Sequence, residues 1–261
     1  MKRIKPGFLL LIALFLFTSP IFAQFPRFKA LAFYSIKVEK DHVDFANDAI
    51  EFFKDLTKGN GFVFDTTTNM EDLNEEKLKD YSIVLMLNDF PHTAAQREAF
   101  MKYMENGGGW LGFHVAGYND KDTHWPWFVQ FLGGAVFYNN NWPPMPAKII
   151  IDDRSHPVTK GMPDTYIAPV SEWYQWRPSP RENKDVKVLA SLSAENYPFG
   201  LKDIIRSGDT PVVWTNTKYR MVYMNMGHAN QIFTDATQNR MIVAALRYVV
   251  ASDKKGNVFK D

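Results

Sequence analysis

Six histidines and no cysteine define the chemistry open to this 261-residue chain. Without a thiol it has no disulfide, no thiolate metal site and no cysteine nucleophile. Proton transfer, nucleophilic attack and metal binding all fall to imidazoles, carboxylates and hydroxyls. Three of the histidines stand just beyond the carboxyl ends of expected strands, where open α/β sheets bind their ligands. His42 lies in the loop after the first strand, close to the start of its helix, His114 ends Trp110–Phe113, and His228 follows Met221–Met226 in Met226-Gly227-His228. An imidazole changes charge near neutral pH and is also a common metal ligand. Each one alone reads more readily as a satisfied structural histidine. Their shared sheet edge sets them apart from His92, His124 and His156.

The sharpest local feature is Gly112-Phe113-His114-Val115-Ala116. Small residues two before and two after a central side chain, between a strand and a helix, permit the strained turn called a nucleophile elbow. The turn holds its central residue out at the top of the sheet. Here that residue is an imidazole, a better base or ligand than covalent nucleophile.

The elements that must position these groups follow from apolar patterning. Lys29–Ser35, Phe62–Asp65, Ser82–Leu87 and Trp110–Phe113 read as buried strands. Asp44–Leu56 carries Phe45, Ala49, Phe52, Phe53 and Leu56 at helical spacing. Glu71–Lys79 reads as a short helix, and Thr93–Asn106 as a helix with a Thr93/Gln96 capping box ending at Gly107–Gly109. Four strand–helix alternations predict a parallel sheet covered on both faces. In the second half Lys148–Ile151, Val186–Ser191, Val212–Thr215 and Met221–Met226 read as strands, and Gln238–Val250 as a closing helix. Pro143–Pro146 and Pro178–Pro180 mark loops. With no internal repeat, residues 24–261 read as one α/β domain.

The first 23 residues read as a signal peptide. Lys2, Arg3 and Lys5 precede the ten-residue apolar run Phe8–Phe17, Thr18-Ser19-Pro20 breaks it, and Ala23 offers a cleavage point. The run falls well short of the ~20 residues a membrane span needs. The expectation is an exported chain, periplasmic or extracellular, with no stable membrane insertion after cleavage. Removing 23 of 261 residues leaves 238, and the net charge moves from +1 to about −2. That balance offers no basic field for nucleic acid or anionic lipid. Oligomeric state is not legible.

Several motifs in order, GGGWLGFHVAG (Gly107–Gly117), WPWFVQFLGG (Trp125–Gly134), HPVTKGMPD (His156–Asp164), SEWY (Ser171–Tyr174), PVVWT (Pro211–Thr215) and MNMGH (Met224–His228), resemble the trehalose-utilisation (ThuA-like) family over roughly residues 29–250. The resemblance implies a flavodoxin-like three-layer α/β/α fold with a mostly parallel sheet, akin to class I glutamine amidotransferases. It also implies a link to bacterial disaccharide and keto-sugar catabolism. The chain departs from the amidotransferase pattern at its working residues. His114 stands where those enzymes keep a cysteine, and His228-Ala229-Asn230 stands where they keep His-x-Glu. Glutamine hydrolysis through a thioester is therefore not available.

Glu172, in Ser171-Glu172-Trp173-Tyr174, is the carboxylate expected beside the imidazoles. The expected catalytic set is His114, His228 and Glu172. His42, His114 and His228 are the candidate ligands for a divalent metal such as zinc, and metal-free acid–base work is the alternative. On a keto-sugar such groups would move a proton beside the ketone; isomerase, lyase and hydrolase outcomes all stay open. The seven tryptophans lie between Trp110 and Trp214. Trp125, Trp142, Trp173 and Tyr174 are the expected faces for a small-molecule carbohydrate. No Rossmann glycine fingerprint follows the first strand, so no nucleotide cofactor is expected. A non-catalytic carbohydrate-binding or accessory protein is the competing reading. Metal-dependent hydrolysis of an amide or ester ranks behind both.

Overall fold

Short apolar runs with both faces covered build the centre of the molecule. In β1 (Lys29–Phe33) and β3 (Ile83–Met86), alternate side chains enter opposite cores. Ala30, Ala32, Ile83 and Leu85 pack on one face, while Leu31, Phe33, Val84 and Met86 pack on the other. A strand buried on both faces needs apolar residues at every position, which is why these runs lack polar alternation. The computed structural model describes residues 27–120 and 122–251. The expected signal peptide, residues 1–23, lies outside the described residues.

Between and after these strands come α1 (Lys40–Thr57), β2 (Val63–Thr67), α2 (Glu75–Leu78), α3 (Ala94–Glu105), β4 (Gly109–Phe113) and α4 (Pro126–Phe131). The second half contributes β5 (Phe137–Asn140), β6 (Met145–Ile151), β7 (Thr165–Ser171), β8 (Tyr174–Trp176), β9 (Val186–Leu192), β10 (Pro211–Asn216), β11 (Arg220–Met224) and α5 (Ala236–Ala251). The main sheet has the order β2-β1-β3-β4-β11-β10-β9-β6-β7, with β5 and β8 paired separately. Its first five strands are mutually parallel and follow the doubly wound order of flavodoxin-like folds. α1 and α5 cover one face; α2, α3 and α4 contribute to the core on the other.

The expected strands all form, with edges shifted by a few residues. The expected Thr93/Gln96 capping box is present on α3. The second half differs in pairing: β10, β9, β6 and β7 add by antiparallel neighbours. Only β10 and β6 run against the other seven strands, so the sheet stays mostly parallel. β5, β7, β8 and α4 were not expected. Thr165–Ser171 alternates exposed and buried residues around Pro169, a pattern suited to an edge strand, where a missing N–H is tolerated. Among the described residues no helix is long and apolar enough to cross a membrane.

Candidate functional site

β4 delivers His114 into the strained turn that its flanking residues predict. The residue has φ +44°, a left-handed conformation costing a non-glycine residue roughly 1–3 kcal/mol. Neighbours hold it there. Tyr223, buried on β11, donates its hydroxyl to the His114 carbonyl at 2.8 Å. Gly227 lets the chain after β11 pass so close that an added Cβ would stand 2.5 Å from His114 Cβ. His114 Nδ1 lies 2.9 Å from the Asn225 carbonyl. A carbonyl only accepts, so Nδ1 carries the proton and Nε2 faces the site.

The same loop after β11 delivers His228, and Ala229 N–H donates to the Asp41 carbonyl at 3.1 Å. That bond ties the loop to the first turn of α1. His42 lies inside this helix, not in a loop, because α1 begins at Lys40 rather than near Asp44. Asn88, just past β3, fastens the β1–α1 connection. Its amide donates to the Ser35 and His42 carbonyls at 2.9 and 3.0 Å, while its oxygen accepts from Ser35 N–H at 2.8 Å.

The three imidazoles converge. Ring centroids are 5.2 Å apart for His42–His114, 5.0 Å for His42–His228 and 5.7 Å for His114–His228. All three are buried, and His42 Nε2, His114 Nε2 and His228 Nδ1 have no hydrogen-bond partner. Buried polar atoms left unpaired in this way call for an explanation such as a bound ion or a catalytic role. Burial first, then His114 and His228, lowers the His42 pKa to about 3. Burial and His114 lower His228 as well. Both are therefore neutral at pH 7 and keep a lone pair.

Glu172, between β7 and β8, closes the group with Oε2 3.4 Å from His114 Nε2. Burial pushes its carboxyl up, but His114, with His228 and His42, more than offsets this and holds it below its ordinary value. Its other oxygen accepts from the Asn140 amide. Asn140 Oδ1 in turn accepts from Lys202 Nζ at 2.6 Å. A lysine has only donors, so Lys202 turns the Asn140 carbonyl outward and its amide toward Glu172.

Two overlapping sets of side chains have ligand atoms within 4.8 Å of one another: His42 with His114 and Glu172, and His42 with Glu39 and His228. The expected trio of His42, His114 and His228 is thus divided between two groups that share His42.

The expected aromatic faces separate. Tyr174 is buried and stacks on His114, centroids 4.0 Å apart, so it supports the imidazole. Burial, then the neighbouring Glu172, holds its phenol well above the usual range. The expectation of a sugar face at Trp173 is corrected: the ring is fully buried and its indole N–H donates to the Met145 carbonyl at 2.9 Å. Its apolar bulk goes to the core beneath Glu172. Trp125 is half-buried, stacked on Phe128 at 4.7 Å under Arg97. Trp142, 49 % exposed, keeps an open face, and its backbone pairs with Lys202.

His156 packs on Tyr248, and its Nδ1 accepts from Val158 N–H at 3.3 Å, a structural turn. His92 lies 2.7 Å from Asp89, and His124 is exposed. Sequence reading missed Glu39, Asp41, Asn140 and Asn225. Glu39 and Asp41 sit in a charge run that reads as a solvated helix start. Asn225 lies inside the Met224–His228 motif, the one signal that could have marked it.

Three of the solved structures that resemble this one show the range of the likeness. A protein described as ThuA-like from Bacteroides uniformis ATCC 8492 shares 58% identity, over 90% of this chain and 96% of that one, with a TM-score of 0.86. A second ThuA-like protein, from Parabacteroides merdae ATCC 43184, is 14% identical over 88% of this chain and 92% of its own, with a TM-score of 0.61. A beta-galactosidase from Bacillus circulans sp. alkalophilus, 14% identical with a TM-score of 0.50, matches 83% of this chain with 30% of its own; the last two show the fold alone. A search among curated proteins found no match. Residues 30–249 match the ThuA family, described as trehalose utilisation, and the chain therefore belongs to that family, with the carbohydrate-related role it carries.

Proposed function

We propose that this chain is an exported enzyme of carbohydrate catabolism that moves a proton at the carbon beside a sugar ketone. His114 and Glu172 are its proton carrier, and a divalent cation such as zinc is held by the imidazole cluster. The observation that carries the reading is the His114–Glu172 pair. With Nδ1 committed to the Asn225 carbonyl, His114 Nε2 and Glu172 Oε2 meet at 3.4 Å as two acceptors. Such a contact is repulsive unless a proton lies between them. Unprotonated, the pair is a base that takes a proton from carbon, leaving an enolate; that proton then lies between Nε2 and Oε2 and can be returned elsewhere. Reprotonation at the neighbouring carbon gives an isomer; departure of a β substituent gives elimination.

The other groups have supporting parts. His228 and His42, kept neutral by burial, have lone pairs for the cation. When bound, that cation supplies polarisation of the ketone oxygen. Trp142 offers the open aromatic face for a sugar ring. The signal-peptide layout of residues 1–23 supports export.

Proton NMR of a 3-keto-disaccharide in heavy water, with the purified mature chain, tests this. Deuterium uptake beside the ketone, or release of a free sugar, is expected. Loss of the acid–base group in His114→Ala should slow it about 10²–10⁴-fold. A wild-type spectrum unchanged over hours, with and without added zinc, would sink the catalytic reading in favour of carbohydrate binding.

A further inference from the structure

We propose that the cation of this site sits in the outer group, held by Glu39, His42 and His228, and that Glu39 is its carboxylate ligand. The inference rests on the proposed function for its chemistry and on the following geometry for its position.

Glu39 immediately precedes α1, in the place where a side chain normally caps the helix, yet it makes no capping hydrogen bond. It reaches instead toward two imidazoles: its oxygens lie 4.0 Å from His42 Nδ1 and 3.9 Å from His228 Nε2. Ligands about 2.0–2.1 Å from a tetrahedral zinc stand roughly 3.4 Å apart. The three ligand atoms lie within 4.8 Å of one another, and Glu39, whose side chain is 58 % exposed, is free to rotate an oxygen inward. Behind His228, Asp41 Oδ2 lies 3.8 Å from Nδ1. That is the side from which a carboxylate orients a ligating histidine through its far nitrogen, although 3.8 Å is beyond hydrogen-bond distance and Nδ1 has no partner.

The inner group, His42 with His114 and Glu172, is the weaker holder because its carboxylate is already engaged. Glu172 Oε1 accepts from Asn140, and Oε2 faces His114. The outer position leaves that pair free to carry its proton. Two histidines and one glutamate also leave the fourth zinc position open, as catalytic zinc sites do. Glu39 lies on the solvent side, so ion and substrate oxygen reach the position without crossing the core. Its loop also carries Ile36 and Val38, both exposed.

Zinc binding by the full chain, after stripping with a chelator, separates the two groups without needing a substrate. Isothermal titration and metal analysis should give one zinc per wild-type chain. Glu39→Gln should weaken binding by about 100-fold or more, since even an outer-shell partner is worth ~10–100-fold. Glu172→Gln should leave affinity within about 2-fold. Glu39 is exposed and Glu172 is partly buried at the site, and circular dichroism will show that the variants fold. The opposite pattern would overturn the assignment by moving the cation inward, and would leave the proposed function standing. Equal weakening by both variants would likewise overturn it. A wild-type chain that takes up no zinc would overturn it outright, while deuterium exchange still decides the fate of the His114–Glu172 pair.

Discussion

Replacing Gly227 by alanine tests whether the site depends on the close passage beneath His114. The added Cβ would stand 2.5 Å from His114 Cβ and 3.4 Å from Phe45 Cε1. Carbon atoms in contact settle at about 3.5–4.0 Å, so roughly 1 Å must be made up. His114 cannot yield cheaply: its carbonyl is held by Tyr223 and its ring by the Asn225 carbonyl. Overpacking of this kind costs about 1–3 kcal/mol. At ~2–4 °C per kcal/mol for a chain of this size, the midpoint should fall by roughly 2–12 °C. A displacement near 1 Å also opens the 3.4 Å His114–Glu172 contact, and misplacement on that scale costs about 10²-fold in rate. The assays are thermal unfolding and deuterium exchange into the keto-sugar. Gly61→Ala is the control, because its Cβ would meet only Arg27 Cγ at 3.5 Å; it should stay within ~0.5 kcal/mol of wild type. A Gly227→Ala protein with unchanged midpoint and exchange rate would refute the argument that close packing positions the imidazole.

Asn140→Leu removes the amide that donates to Glu172 and strands Lys202. It should slow exchange by ~10–100-fold, as loss of an outer-shell partner does, with unfolding little changed; a wild-type rate would show that Glu172 needs no such partner. The metal-free protein should lose stability as pH falls below about 6.5. His42, held at about 3 when folded, binds its proton readily only when unfolded. The folded state's advantage is thus complete above pH 6.5 and declines toward pH 3, at up to ~1.4 kcal/mol per pH unit for one excluded proton. His228 acts in the same direction. Urea midpoints at pH 7.5 and 5.5 measure this, and His42→Gln should flatten the dependence; equal wild-type midpoints at the two pH values would contradict the burial argument.

Sequence by itself determined the parallel half of the fold, the family and three of the four central groups' places on the sheet edge. Each of these depends on short-range information. β1, β3 and β4 are apolar at every position because both faces are covered, and α3 announces its start through Thr93 and Gln96. His114 sits at φ +44° because its neighbours in the chain permit the turn. The antiparallel half was less legible. β7 is an edge strand interrupted by Pro169, and β8 is only three residues long, so neither carries enough periodicity to declare itself.

Tertiary structure alone decided which groups meet. Glu39 and Asp41 read as ordinary surface charges at a helix start, and only the loop after β11 brings His228 within 4 Å of both. Trp173 and Tyr174 look like exposed sugar platforms in sequence, but the turn between β7 and β8 buries one and stacks the other on His114. Glu172 acquires its orientation from Asn140 and Lys202, 32 and 30 residues away in sequence. The physical reason is general to this site. Residue type and strand ends record what a group can do and which edge it leaves from. Distances of 3–4 Å between side chains on separate loops are set by packing that no local pattern encodes.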